Sequence, residues 1–229
     1  MSFVYCDRGE YELALRFSRN ATHFHLIGGN LKGVGRALVD QGGFLFHLRR
    51  YRESARESEA ALRYLPAEPE SSLYAALVNA AHAYQRIGKP SQARKRSEEA
   101  ARLENIPQGL KVSAAWLASE AALALGKAKM AMGGFEEAVD YYFEKGELLN
   151  VALASAQLTQ ALYLANRKDQ ALSVAKGMTR LVEPLRNNPV ASAAIVELIL
   201  WGMSSTSQIE FGRLVEQIRQ AGTGRARFG

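Results

Sequence analysis

A six-residue pattern recurs along this chain of 229 residues. It reads Gly9-Glu10-Tyr11-Glu12-Leu13-Ala14, Arg49-Arg50-Tyr51-Arg52-Glu53-Ser54, Gly88-Lys89-Pro90-Ser91-Gln92-Ala93, Gly133-Gly134-Phe135-Glu136-Glu137-Ala138 and Asn166-Arg167-Lys168-Asp169-Gln170-Ala171. Each copy runs from a turn residue, through a ring or long side chain and two polar residues (Leu13 is the exception in the first copy), to a small residue. Gly or Asn at the first position can take the left-handed conformation that closes a helix. The small residue five positions on lets the next helix come close to the last. Apolar positions before the third copy, Leu73, Leu77, Ala80, Ala81 and Tyr84, follow the spacing of one helix face, and Ala93, Ser97, Ala100 and Ala101 follow it afterwards. The expectation is a repeated hairpin of two amphipathic helices.

Composition agrees. Hydrophobic residues make up 48% of the chain, proline is limited to six, and the Val/Ile/Thr clusters that strands favour are few. The predicted class is all-α, a helical-hairpin solenoid of about ten to eleven helices.

At this point the chain resembles the tetratricopeptide repeat (TPR) family. Gly42 and Leu45 match the small and large packing residues of a first helix, while Tyr51, Ser54, Ala61 and Pro66 match the turn aromatic, the second-helix small positions and the closing proline. Ala81, Tyr84, Gly88, Ala93 and Ala100 continue the match, as do Gly126, Phe135, Ala138 and Tyr142. The hexamers are spaced by 40, 39, 45 and 33 residues, not by a uniform repeat, so longer helices or loops must absorb the difference. The segment Pro66-Ala67-Glu68-Pro69-Glu70-Ser71-Ser72 reads as one such insertion, with Ser71 or Ser72 capping the next helix. The Gly28-Gly29-Asn30-Leu31-Lys32-Gly33 turn is similar to those of longer-period bacterial TPR arrays. Pro90 and Lys168 replace the turn aromatic, and Ser58 and Ser97 stand where a bulky second-helix residue is usual, so looser packing is expected there.

The repeats are expected over residues 1–186, with capping helices over 187–221, near 189–203 and 207–221, and a flexible basic tail over 222–229. Only Ser2 to Arg8 precede the first hexamer, so the leading helix of the first unit is largely missing. Leu13, Ala14, Phe17 and Ala21 would then lack cover, and Phe3, Tyr5, Leu13 and Phe17 form an expected N-terminal edge interface. Either the chain is a piece of a longer protein or something else covers that edge.

Little in the sequence points to bond chemistry. The four histidines, His23, His25, His47 and His82, lack the i, i+4 spacing of a helical metal pair. The run from Gly28 to Gly35 lacks the Gly-Lys-Ser/Thr ending of a phosphate loop, so its glycines are read as turn residues with positive φ. Cys6 has no histidine base placed beside it, and as the sole cysteine it cannot form an internal disulfide. Glu98-Glu99 and Glu136-Glu137 point about 100° apart on a helix and read as solvated. No catalytic, cofactor or metal site is expected, and the chain reads as a binding protein and not an enzyme.

The single cysteine and the absence of a signal-peptide pattern suggest the cytoplasm, and the most apolar run, Pro189 to Met203, is interrupted by Glu197 and too short to span a bilayer. The net charge of +6, from 29 Lys+Arg against 23 Asp+Glu, suits an acidic partner or solubility. Basic clusters at Arg49, Arg50, Arg52 and Arg56, at Arg94, Lys95 and Arg96, and at Arg225 and Arg227 keep a nucleic-acid surface open as an alternative. Interleaved Glu53, Glu57, Glu59, Glu98 and Glu99 argue for solvated faces instead.

The family usually binds extended or helical peptides on its concave face, which first helices line. Carried over, this puts Arg36, Phe46, His47, Asn79, His82, Arg86, Lys127, Met130, Gln160 and Tyr163 on or near a groove fit for an acidic or amphipathic peptide. The chaperone-binding subclass is disfavoured, since Val39, Gly43, Glu120 and Ala124 occupy most of the positions its carboxylate clamp uses, leaving only Asn79. The leading expectation is therefore a protein-binding scaffold or adaptor, with a regulatory role open. Nucleic-acid binding and a structural role in a homo-oligomer or larger complex are the alternatives.

Overall fold

The structure, a computed structural model, describes residues 8–65, 70–204 and 210–223. Among them are eleven helices of ten to seventeen residues and one single-turn piece, so the chain is all-α as predicted. The helices are α1 (Tyr11–Ile27), α2 (Leu31–His47), α3 (Tyr51–Ala61), α4 (Glu70–Arg86), α5 (Pro90–Ala101), α6 (Gln108–Ala124), α7 (Ala128–Glu144), α8 (Leu148–Leu164), α9 (Lys168–Gly177), the single turn α10 (Thr179–Val182), α11 (Pro189–Ser204) and α12 (Phe211–Thr223). No helix among the described residues is long and apolar enough to cross a membrane.

Six joints share one construction. In each, the second residue past the helix donates its N–H back three residues, and the next residue donates back five. The pairs are Gly29/Asn30, Arg49/Arg50, Gly88/Lys89, Gly126/Lys127, Gly146/Glu147 and Asn166/Arg167. This is the Schellman closure, which satisfies helix-end carbonyls and needs a left-handed residue. All six first members have φ between 60° and 71°, and Gly9, at 73°, shares the conformation.

That geometry corrects the fourth hexamer. Gly133 lies inside α7, not in a turn, because the buried series Ala128, Ala131, Phe135, Ala138 and Tyr142 continues helix periodicity straight through it. The true joint is at Gly126. The hairpin joints then fall at 9, 49, 88, 126 and 166, in steps of 40, 39, 38 and 40, and the irregular spacing disappears.

Two further expectations change. The helix α4 starts at Glu70, so Ser71 and Ser72 sit inside its first turn and neither is the residue before it. In the glycine-rich run only Gly29 has positive φ; Gly33 and Gly35 are buried in α2, where a methyl group would strike the His25 ring and the Leu65 side chain. They serve close packing. Asn30 caps α2 by accepting the Gly33 N–H at 2.9 Å.

The chain divides into two compact units, Met1–Ala121 and Ala122–Gly229. In the first, α1 through α5 pack each against the next, and α2 also lies against α4. The core is small side chains around a few large ones, with Ala14, Leu15, Phe44 and Leu45 in one cluster, and Tyr74, Leu77, Ala100, Ile106 and Ala114 in another. Ser58 is fully buried where a bulky residue is usual, and looseness is not the result: a methyl group at Gly42 would come within 2.3 Å of its hydroxyl. Helices α2 and α3 approach closely there, and Ser54 donates to the Gly42 carbonyl at 2.8 Å.

In the second unit α7, α8 and α9 pack in sequence, α11 lies against α9, and α12 contacts both α11 and α8. Leu181, Leu185, Ile195, Leu198, Leu214 and Ile218 supply its buried aliphatic side chains near the C-terminal end.

Candidate functional site

In the first unit, the first helices of the hairpins are α2, α4 and α6. Counting back from joints 49, 88 and 126 gives their equivalent positions: Val39, Val78 and Trp116 share one, and Gly43, His82 and Glu120 another. Side-chain contacts confirm that these positions are neighbours. Phe46 on α2 has its ring 5.8 Å from His82 on α4, and Gln85 on α4 donates to Glu120 on α6 at 3.4 Å. Asn79 donates across to the Val39 carbonyl at 3.3 Å, passing over Gly43, which offers no side chain of its own.

The structure therefore brings Phe46, His47, His82 and Asn79 together. Phe46 is half-buried between His82, His47 at 6.4 Å and Tyr51 at 5.2 Å. His47 is exposed and lies flat on Tyr11 of α1, the two rings 4.4 Å apart and nearly parallel. Arg86 is exposed one turn beyond His82. Arg36, eleven residues before His47 on α2, stands apart from the rings. It lines a cleft of about 320 Å³ with His25, Asn30, Lys32 and Asp40. Burial there pushes the Asp40 carboxyl up from an ordinary 3.8 to about 6.

The false turn at Gly133 displaces the register of the third hairpin and so hides Trp116 and Glu120; Gln85, three residues before the correctly read joint at Gly88, carries no mark in the sequence that singles it out. The helical signal that finds Trp116 and Glu120 is the same count from Gly126. Lys127 is corrected to the joint itself and Met130 to the first turn of α7, a second helix, both exposed.

In the second unit α8 is a first helix. Its face runs through Leu149, Leu153, Ala156, Gln160 and Tyr163, spaced by 4, 3, 4 and 3. Tyr163 is still 43% exposed but has ring neighbours. Its ring lies 5.6 Å from Trp201 of α11 and 5.4 Å from Phe211 of α12.

Of the expected N-terminal edge, Phe3 and Tyr5 lie outside the described residues. Leu13 is 40% exposed on α1 and Phe17 is half-buried. Ala14, expected to lack cover, is fully buried against α2 with Leu15, Phe44 and Leu45. Two residues unnamed by sequence extend the edge: Phe24 and Ile27, 71% and 72% exposed, continue the Leu13 and Phe17 face along α1.

The basic clusters are heavily paired. Arg50 holds Glu53 through two bonds of 2.7 Å, which keeps that carboxyl below its ordinary range. Arg56 pairs with Glu57, Arg94 with Glu98, and Arg96 with Glu59 and Glu99. Arg225 and Arg227 lie outside the described residues.

No family model and no curated protein matches the chain. Solved structures do. Two crystal structures of putative kinesin light chain TPR-like repeats from Podosopora anserina are similar to it. One superposes with a TM-score of 0.66 at 12% identity, over 81% of this chain and 93% of that one. The other gives 0.63 at 14%, over 79% and 90%. With its helices packed in sequential hairpins, this chain has the fold of the TPR-like helical repeats.

Proposed function

We propose that this protein is a protein-binding scaffold or adaptor, whose first-helix face in the N-terminal unit takes a peptide or a partner protein. It acts by affinity and not by catalysis. The observation that carries the reading is the ring cluster of Phe46, His47 and His82, held in place by flanking helices, with the exposed Arg86 one turn away. Aromatic and cationic side chains on a preformed face suit an acidic or amphipathic peptide, and rigidity spares much of the ordering cost of binding. The TPR-like fold is in keeping with that role, since folds of this class commonly serve protein binding.

The test is a pull-down from the native source with the wild-type chain and with His82→Glu/Arg86→Glu, checked for equal helicity by circular dichroism. Partners held by this face should be lost from the variant; equal recovery overturns the assignment.

A second reading is favoured by the exposed apolar stripe of Leu13, Phe24 and Ile27 on α1, which suits self-association at the N-terminal edge. Sedimentation at micromolar concentration decides it: a wild-type monomer, or an oligomer untouched by Phe24→Glu/Ile27→Glu, removes the edge. Nucleic-acid binding ranks below both, because acids already occupy much of each described basic cluster.

A further inference from the structure

A helix from the same chain packs along the face of α8 equivalent to the ring-bearing faces of α2 and α4. Two contacts fix how α12 lies. Phe211, at its start, has its ring 5.4 Å from Tyr163 in the last turn of α8, tilted against it. Gly222, at its end, lies against Leu149 in the first turn of α8, close enough that an added methyl group would be 3.2 Å from the leucine side chain. The two helices are thus antiparallel, with α12 running along the Leu149, Leu153 and Tyr163 face. Asn188 holds the far end by donating to the Ala221 carbonyl at 3.3 Å.

The helix α12 has the pattern of a groove ligand. Phe211, Leu214, Val215 and Ile218 are buried, and Gly212, Arg213, Glu216 and Gln220 are exposed. Anchors at positions 1, 4, 5 and 8 are the signature by which an amphipathic helix fills an apolar groove. Thirteen residues are too few for a stable free helix, so α12 owes its helicity to the face it lies on. It also leaves room. A cavity of about 630 Å³ remains between Leu149, Leu153, Leu185 and Ile218.

We propose that the first-helix face of α8 is a receptor for an amphipathic helix, and that α12 is its resident occupant. The partner is a helix with large apolar residues in the α12 spacing, which binds by taking the place of α12. The remaining cavity admits a larger side chain than α12 supplies near Ile218. Covalent attachment gives α12 a high effective concentration, so a free helix of equal contacts competes poorly until α12 is loosened. The proposal concerns the second unit and stands independently of the ring cluster on α2 and α4.

The probe is a fluorescein-labelled synthetic peptide of residues 210–223, read by anisotropy against the full chain. The chain carries Leu149→Cys/Gly222→Cys in a Cys6→Ser background, so that oxidation fastens α12 to α8 and reduction frees it. Saturable binding to the reduced chain is expected, weakened at least tenfold by oxidation, and absent for a peptide carrying Leu214→Glu. Equal affinity in the two states, or no saturable binding to the reduced chain up to about 1 mM, overturns the proposal. If the disulfide does not form, Phe211→Ala/Leu214→Ala in the otherwise native chain replaces it. Peptide affinity should then rise about tenfold over wild type, and an unchanged or lower affinity overturns the proposal. An interchain disulfide in a dimer would make a second copy the occupant and overturn the proposal as stated.

Discussion

Arg49 and Asn166 hold the left-handed conformation that glycine holds at the other four joints, with φ of 60° and 62°. A side chain resists that conformation by about 1–2 kcal/mol, and Asn tolerates it better than Arg. Arg49→Gly should therefore stabilise the chain by about 0.5–1 kcal/mol, after the extra freedom glycine gives the unfolded state is counted. The reciprocal change isolates the same effect, because a methyl group at Gly88 would meet nothing within 4 Å. Gly88→Ala should cost about 1 kcal/mol through the backbone alone. Urea unfolding of both variants checks the opposite signs. Asp40 gives a second residue-level effect, with a pH window. Its carboxyl titrates at about 6 when folded and near 3.8 when unfolded, so between those values the folded state binds more protons. Stability from this group is then greatest below pH 4 and falls as pH rises to 6. Asp40→Asn should leave stability unchanged near pH 4 and raise it by about 1–2 kcal/mol at pH 7, a range that allows for water reaching the open side of the cleft. Thermal melts at the two pH values measure the difference, and equal gains at both would refute the cause assigned to it.

Between elements, the connection with the clearest geometry is Arg96 of α5. It donates to both oxygens of Glu59 on α3, at 2.8 and 2.5 Å, and to Glu99 one turn along its own helix at 2.6 Å. The planar fork matches a carboxylate in a way a lysine cannot. Arg96→Ala leaves Glu59 half-buried without its cation, and should cost about 2 kcal/mol; Arg96→Lys should recover only part of it. Chemical denaturation of the pair, with Arg96→Ala/Glu59→Ala closing the cycle, measures the coupling. The same scale explains what was legible in the sequence. Joints at Gly9, Arg49, Gly88 and Asn166 could be read because a left-handed residue, an N-terminal turn and a small contact residue all leave marks in six positions. Gly133 imitated those marks inside α7. A glycine on an exposed helix face costs the helix only about 1 kcal/mol, so a buried Phe135 and Ala138 can carry the helix through it. Joints at Gly29 and Gly146 separate hairpins and not helices within one, and so lack the aromatic and small residues that drew attention elsewhere. Phe46, His47, His82 and Asn79 were found from register alone. The one false turn displaces Trp116 and Glu120, and the packing of α12 along α8 is beyond pattern reading, since no repeat motif extends past residue 186 to say which face that helix takes.

For the molecule as a whole, the question left by composition is whether the charge of +6 is organised. A nucleic-acid surface needs cations free to replace counterions along the phosphate backbone. Here Arg50, Arg56, Arg94 and Arg96 each already hold a glutamate at 2.5–2.8 Å, and three of these pairs are made within one or two turns of the same helix. A phosphate would have to displace a carboxylate at each, and the acid thus released would repel it. Among the described residues these four clustered arginines are therefore already committed to acids, which leaves an exposed cation such as Arg86 the better point of attraction for an acidic group. Affinity for a labelled 20-nucleotide RNA should be weaker than about 10⁻⁵ M at 150 mM salt, with a log–log salt slope no steeper than about −2. A slope of about −5 or steeper would mean that five or more cations act together on the backbone, and would restore the basic faces as a nucleic-acid interface. Repeating the titration with a partner recovered through the proposed His82 and Arg86 face gives the contrast that matters. That complex should lose affinity with salt by the shallow dependence of one or two ion pairs, while keeping the part that Phe46 supplies by burial, which salt does not screen.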